Sequence, residues 1–418
     1  MMNKNLALIF IVLVLTSCAK RQLKPVAPVS PPDSVSQKCD CATQAVPATP
    51  STIKPGADVK PPMSSSALDF SLLKPVKWED VDGILNDDQS QVWPAWLQSC
   101  STLINKSQWQ VACSAAKLLD KPNKEAIQFY FKQYFNIFNA SNQDGTDTGM
   151  ITGYYQPLLK GSLTKSSQYP FPIYRQPADM ITVELADLYP ELKNKRIRGK
   201  LAGNKLLPYY SRAEIDASPS PLAGSELVWI NDIIDVFFLQ VQGSGLVRFE
   251  NGDNMHVGYA DQNGQAYNSI GRVLVDSGEL TLDQASMQGI KNWAKNNPTK
   301  LRDLLNANPS YVFFRELPSG LSGPLGALGV PLTAERSVAI DPKYIPLGAP
   351  LVLSTTEPNS TKPLNRMVVA QDTGGAIKGG VRADFFWGAG DAAGKQAGSM
   401  KQTGKVWVLL PKEFQLPK

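Results

Sequence analysis

The spacing of apolar and polar positions changes several times along the chain. Residues 6–15 are an almost unbroken apolar run behind Lys4, too short to stay in a bilayer as a span. From Ala19 to about Ser66 the periodicity disappears. Pro25, Pro28, Pro31, Pro32, Pro47, Pro50, Pro55, Pro61 and Pro62 punctuate a stretch with too little to bury, which reads as a semi-extended tether. Helical spacing governs 87–138, with Val92, Trp96, Leu97, Cys100, Leu103 and Ile104, then Trp109, Ala112, Cys113 and Ala116, then Ile127, Phe131, Tyr134 and Phe138. It predicts two short helices and a longer one. After Asp144-Gly145, β-like runs at 150–159, 227–241, 246–250 and 255–260 are broken by Gly, Pro and Asn, and Asn251-Gly252 marks a hairpin. Helical spacing returns at 281–293, where Thr281 and Gln284 form a capping box, and at 299–305. Strands resume at 337–340, 350–354, 367–371 and 405–410, so the body is expected to be mainly β with helical decoration. No internal repeat appears.

At roughly 150 residues per domain, 418 residues point to two domains plus extras. The content of 43% hydrophobic and 19% charged residues is that of a folded globular body, neither a disordered chain nor a polytopic membrane protein. Lys+Arg 42 against Asp+Glu 37 leaves +5, without the concentrated charge of a nucleic-acid binder. The densest basic cluster, Lys193, Lys195, Arg196, Arg198 and Lys200, reads as a solvated loop. His256 is the single histidine and reads as an exposed strand residue. One histidine argues against Ser-His-Asp, Cys-His and multi-histidine zinc chemistry, so carboxylates come to the front.

The ending Leu15-Thr16-Ser17-Cys18 resembles a bacterial lipoprotein cleavage box. On that likeness residues 1–17 are a signal and Cys18 is the lipid anchor, with Ala19 after it pointing to the outer membrane of a Gram-negative cell. In an exported chain Cys100 and Cys113 are candidates for a disulfide between neighbouring helices, with two buried thiols as the alternative. Cys39-Asp40-Cys41 lacks further ligands and carries no metal assignment.

The chemistry concentrates in QDTGGAIKGGVRADFFWGAG, residues 371–390. A strand delivers Asp372, a glycine-rich loop follows, and Asp384 precedes Phe385, Phe386 and Trp387. Aromatic neighbours desolvate a carboxylate and raise its pKa, as a general acid near neutral pH requires. A solvent-facing aspartate beside a buried aromatic wedge fits equally well. Asp372-Thr373-Gly374 matches the aspartic-protease motif, but no second copy supplies the partner carboxylate.

GYYQPLLKGS (153–162), LPYYSRAEID (207–216), FFLQVQGSG (237–245), YADQNGQAYNSIGRVL (259–274), PLTAERSVAIDPKYIPLG (331–348) and the loop above form an ordered set. Together they resemble the membrane-bound lytic murein transglycosylase A family over about residues 68–410. The last third is similar to a domain named for three aspartates, here Asp341, Asp372 and Asp384. The resemblance implies a double-psi β-barrel domain and a smaller inserted β-barrel domain, with a groove between them for the glycan strand. The organisation expected is 67–159 and 241–418 for the large domain and 160–240 for the insertion, after a tether at 18–66. It also implies cleavage of the β-1,4 bond between N-acetylmuramic acid and N-acetylglucosamine of peptidoglycan, leaving 1,6-anhydro ends. Asp384 would be the catalytic residue, with Asp372 and, less directly, Asp341 in support. Gln242, Gly243, Ser244, Gly245, Thr373 and Trp387 would contact the substrate, Trp387 by stacking on a sugar or else as a packed core ring. No cofactor or metal is implied, and glycan strands, the outer membrane and cell-wall synthase complexes are the expected partners. A two-carboxylate hydrolase and a non-catalytic murein-binding lipoprotein remain as rivals.

Overall fold

The computed structural model describes residues 69–416 apart from 82, 84–86, 190, 191, 193, 194 and 196. The expected signal, Cys18, the tether with Cys39 and Cys41, and Lys193 and Arg196 of the basic cluster lie outside the described residues.

The chain opens with β1 (Leu73–Val76), then α1 (Trp93–Leu103), α2 (Ser107–Leu118), α3 (Lys124–Tyr134), β2 (Phe135–Ala140) and β3 (Gly149–Gln156). A second stretch carries β4 (Leu158–Ser162), β5 (Phe171–Tyr174), β6 (Ile181–Val183), β7 (Ile197–Ala202), β8 (Lys205–Pro208), α4 (Arg212–Ile215), β9 (Glu226–Ile230), α5 (Ile233–Gln242), β10 (Ser244–Arg248) and β11 (Asn254–Gln262). It ends with α6 (Ile270–Asp276), α7 (Met287–Asn296), α8 (Leu301–Asn306) and β12 (Val312–Glu316). The return is β13 (Ser337–Ile340), β14 (Pro350–Thr356), β15 (Pro363–Thr373), β16 (Ala383–Ala389), α9 (Gly390–Ser399) and β17 (Lys401–Pro411).

Strands from both ends of the body form one sheet in the order β1-β2-β17-β14-β15-β13-β16-β3, and β17 also pairs with β3. That extra pairing closes six strands into a barrel. The long β17 makes closure possible, pairing Lys401 to Gly404 with β3, Lys405 to Val408 with β14, and its last residues with β2. Two pairs in the ring, β13 with β15 and β16 with β3, are parallel. The interior is filled by Ile151, Val338, Ile340, Leu351, Val368 and Phe385, all essentially buried. Closure removes the unpaired edges that an open sheet exposes.

The N-terminal helices pack on this barrel. The Trp96 indole N–H donates to the Tyr130 hydroxyl (3.0 Å), which donates to the Ala112 carbonyl (2.7 Å), tying α1, α2 and α3 together. Cys100 and Cys113 form a disulfide between α1 and α2. All three helices are of similar length, 11, 12 and 11 residues, rather than two short and one long.

The second sheet has the order β12-β11-β10-β4-β9-β5 over its own core of Leu159, Val228, Ile230, Val247, Val257 and Phe314. β6, β7 and β8 make a small separate sheet. The mainly β class and the two β-rich bodies thus agree with expectation, but the expected edges do not fit. Residue 240 lies inside α5, and β10, β11 and β12 belong to the second sheet, so that body runs on to Glu316. The expected run at 227–241 also divides. β9 ends at Ile230, the Asp232 carboxylate caps α5 through the Ile234 N–H (2.8 Å), and Gly243 at φ 78° ends the helix. The consecutive buried residues Val236 to Gln240 cover a full turn of α5, so its helical period is masked. The helix expected from Thr281 starts at Met287 behind the Ser286 cap. Gln284 does accept from the Thr281 N–H, in a turn before it. Among the described residues no helix is long and apolar enough to cross a membrane.

Candidate active site

Asp372 and Asp384 come together on the barrel wall. In β16, Asp384 lies opposite Ala339 of β13 and opposite Thr152 of β3. Alternation along a strand sends Arg382, Asp384 and Phe386 to one face and Ala383 and Phe385 into the barrel. The same rule puts Thr152 and Tyr154 of β3 beside them. The Thr152 hydroxyl donates to Asp384 Oδ1 (2.5 Å), and Arg382 Nη2 donates to Thr152 Oγ1 (2.9 Å). Arg382 Nη1 is held by the carbonyls of Ala383 (2.6 Å) and Met150 (3.2 Å). Burial pushes the Asp384 carboxyl up, against the Thr152 hydrogen bond and the Arg382 charge, which pull it down. Its side chain is nevertheless partly accessible.

Asp372 is fixed from three directions. Its Oδ1 accepts from the N–H groups of Thr373 (2.9 Å) and Ala327 (2.9 Å), and its Oδ2 from the Tyr154 hydroxyl (3.0 Å). The preceding Gln371, wholly buried, anchors this end of β15 to α1 by donating to Ala95 O (2.8 Å) and Ser99 Oγ (3.0 Å). Burial raises the Asp372 carboxyl to about 6, and the nearby Asp384 adds to the rise. The Tyr154 phenol, buried and facing both carboxylates, is pushed up as well.

Asp341 is also buried but stands apart in role. Its Oδ1 accepts from Lys343 N–H (3.2 Å) and its Oδ2 from Gly379 N–H (3.0 Å), so it clasps the glycine-rich loop between the other two aspartates. Among the described residues no three His, Cys, Asp or Glu side chains converge as a metal site would require.

Two family descriptions match the chain: the MltA specific insert domain over residues 150–315 and the 3D domain over 336–410. The first spans the second sheet and the second holds all three aspartates. The membrane-bound lytic murein transglycosylase A of Escherichia coli K12 is 37% identical over 284 residues, covering 66% of this chain and 69% of that protein. The chain belongs to the membrane-bound lytic murein transglycosylase A family. As a member it is an enzyme, a lytic murein transglycosylase acting on peptidoglycan. A crystal structure of MltA from Neisseria gonorrhoeae is similar at 38% identity and TM-score 0.73, covering 82% of this chain and 93% of that one. E. coli MltA with bound chitohexaose is similar at 28% identity and TM-score 0.62, covering 82% and 96%.

Of the other positions that the transglycosylase family suggested, only Thr373 is hydrogen-bonded to one of the two carboxylates among the described residues. Gln242 reaches the opposite side of β3, where its Oε1 accepts from Tyr155 N–H (3.1 Å). It lines a cavity of about 240 Å³ with Tyr155, Tyr267 and Met287. Gly243 serves as the α5 terminator, Ser244 opens β10, and Gly245 is buried where an added Cβ would meet Leu239. Thr373 is at the site, its N–H on Asp372. The Trp387 indole N–H donates to Met400 Sδ (3.3 Å) and its ring lies 5.0 Å from that of Phe385, so the packing reading is the one the geometry favours. His256 is in β11, half-buried, its Nδ1 3.4 Å from Gln156 Nε2. Of the basic cluster, Arg198 pairs with Asp261 (2.8 Å) rather than standing free.

Sequence reasoning missed Thr152, Tyr154, Arg382 and the Ala327 amide. Arg382 was within reach, since i and i+2 share a strand face. Thr152 and Tyr154 depend on a parallel pairing between strands about 230 residues apart, for which one sequence carries no signal.

Proposed function

We propose that Asp384 is both the acid and the base of a non-hydrolytic cleavage between N-acetylmuramic acid and N-acetylglucosamine. Protonated, it gives its proton to the glycosidic oxygen as the C1–O bond breaks. Ionised, it takes the proton of the muramyl C6 hydroxyl, whose oxygen bonds to C1 of its own ring. The 1,6-anhydro end forms without water because the internal hydroxyl is already in place, an advantage that reaches about 10⁵ M in effective molarity when well oriented.

The observation that carries this reading is the inequality of the two carboxylates. Asp372 has donors on both oxygens, three in all, and so has little capacity left to activate a water. Asp384 receives one hydrogen bond from the described residues, on Oδ1. That favours one working carboxylate over the two-carboxylate hydrolase. Asp372 then supports, its charge stabilising the oxocarbenium-like state, and Asp341 shapes the loop. Thr373, Gln242 and Ser244 are proposed glycan contacts, and the glycan ligand of the E. coli structure supports a murein strand as the occupant. The word membrane-bound in the relatives' names supports anchoring through lipidated Cys18, with the enzyme on the periplasmic side of the outer membrane. Cell-wall synthase complexes are proposed partners.

The test is mass spectrometry of the soluble muropeptides released from purified murein, with Asp384→Asn in parallel. Muramyl ends one water lighter than the reducing sugar, absent in the variant, are expected. Reducing ends would favour the hydrolase, and sedimentation with murein without release would favour a binding protein.

A further inference from the structure

We propose that Arg382 and Thr152 form a one-directional hydrogen-bond relay that dictates which oxygen of Asp384 carries the catalytic proton. A guanidinium has donors and no acceptor, so in the 2.9 Å contact Thr152 Oγ1 accepts from Arg382. The single proton of that hydroxyl is left for the 2.5 Å contact with Asp384 Oδ1. Oδ1 is therefore an acceptor in both protonation states of the carboxyl, and the mobile proton belongs to Oδ2. Arg382 cannot swing away easily, because its other amino group is held by carbonyls of β3 and β16, the two strands that carry Thr152 and Asp384.

The relay serves both halves of the reaction and rests on the assignment of Asp384 made above. The Oδ2 proton passes to the glycosidic oxygen as the C1–O bond breaks. The C6 hydroxyl then bonds to C1 and returns its proton to Oδ2, so nothing is consumed. Throughout, Thr152 keeps its proton toward Oδ1, and Asp384 does not have to rotate between steps. Arg382 and Thr152 are positioning residues, acting through Asp384. The charged and titratable groups facing Asp384 are Arg382 just before β16, Tyr154 from β3 and Asp372 from β15. Thr152 and Arg382 both pull its pKa down, so loss of either raises it.

The experiment is steady-state murein cleavage by the full chain across pH, comparing wild type with Thr152→Val, Thr152→Ser, Arg382→Met and Asp384→Asn, each checked for folding by circular dichroism. Thr152→Val removes the hydroxyl at nearly constant volume. Its kcat should drop tenfold or more with KM within about twofold, and the alkaline limb of kcat/KM, where the acid is lost, should move to higher pH. Arg382→Met should move that limb in the same direction, and Thr152→Ser, which keeps the hydroxyl, should stay within about threefold of wild type. A folded Thr152→Val with wild-type kcat and an unshifted limb overturns the relay. So does a Thr152→Ser as impaired as Thr152→Val, which would mean that the methyl packing is what matters. Should Thr152→Val not fold, Arg382→Met and Thr152→Ser decide by the same criteria. If Asp384→Asn itself stays active, the assignment of the acid has failed; if it is inactive while the other variants behave as wild type, only the relay has.

Discussion

Asp372→Asn separates the electrostatic cost of the site from its hydrogen bonding. An asparagine there keeps its carbonyl for the Thr373 and Ala327 N–H groups, and its amide donates to Tyr154, whose hydroxyl turns to accept. What is removed is a buried charge. In the folded protein this carboxyl titrates at about 6 instead of 3.8, so between those values the native state binds more protons than the unfolded chain. Stability is then highest below pH 3.8 and falls as pH rises through about 6. At 1.36 kcal/mol per pH unit the wild-type loss is about 3 kcal/mol in full. Roughly 2.4 kcal/mol of it lies between about pH 4 and about pH 7.5. Urea unfolding of both proteins at those two pH values reads it directly. The variant should gain about 2 to 3 kcal/mol on wild type at the higher pH relative to the lower. A stability difference that does not change with pH would refute the reasoning. In the same preparations murein cleavage should fall less for Asp372→Asn than for Asp384→Asn, and the reverse order would mean that their roles are exchanged.

Two further predictions concern how the scaffold holds the site. Replacing Cys100 and Cys113 together by serine releases a cross-link over 13 residues between α1 and α2. By loop-closure entropy this should cost about 3 kcal/mol in urea unfolding, and an unchanged midpoint would contradict it. Arg336 and Asp87 are paired at 2.6 Å with 2% and 1% of their side chains exposed, and Asp87 also accepts from Met367 N–H in β15 (2.8 Å). Arg336→Met removes the close cation and leaves that carboxylate the Met367 N–H and the more distant Arg366 (3.6 Å), and should cost about 3 to 5 kcal/mol. Adding Asp87→Leu should recover much of the loss, and a double variant as unstable as the single one would argue against an unpaired charge as the cause.

The pattern of residues showed the mainly β body and the strands around Asp372 and Asp384, because half-buried strands alternate and glycines mark their turns. It showed α5 poorly, since the five consecutive buried residues Val236 to Gln240 go right round the helix and mask its period. The expectation that aromatic neighbours raise the Asp384 pKa holds in direction, but only Phe386 shares its face. Phe385 is in the barrel core and Trp387 packs at the barrel end, so general burial between strands causes the shift. The Cys100 and Cys113 spacing, between two recognisable helices, was enough to suggest their bridge. Thr152, Tyr154 and Ala327 were not legible, because each reaches its aspartate across a fold-level pairing. The second sheet extends beyond residue 240 because β10 joins β4 by a parallel pairing and β12 returns to β11 across α6 to α8, and one sequence signals neither pairing.

Of the two chain connections between the sheets, the return from β12 to β13 is long and the other, from β3 to β4, is a single residue. β3 ends at Gln156, β4 begins at Leu158, and the Pro157 between them uses its carbonyl to accept from Leu246 N–H (2.9 Å). Tyr155 N–H is held by Gln242 and Gln156 lies beside His256, so each residue entering the joint is braced by the second body. The splice therefore couples the second sheet directly to β3, the strand whose Thr152 and Tyr154 hold the two aspartates.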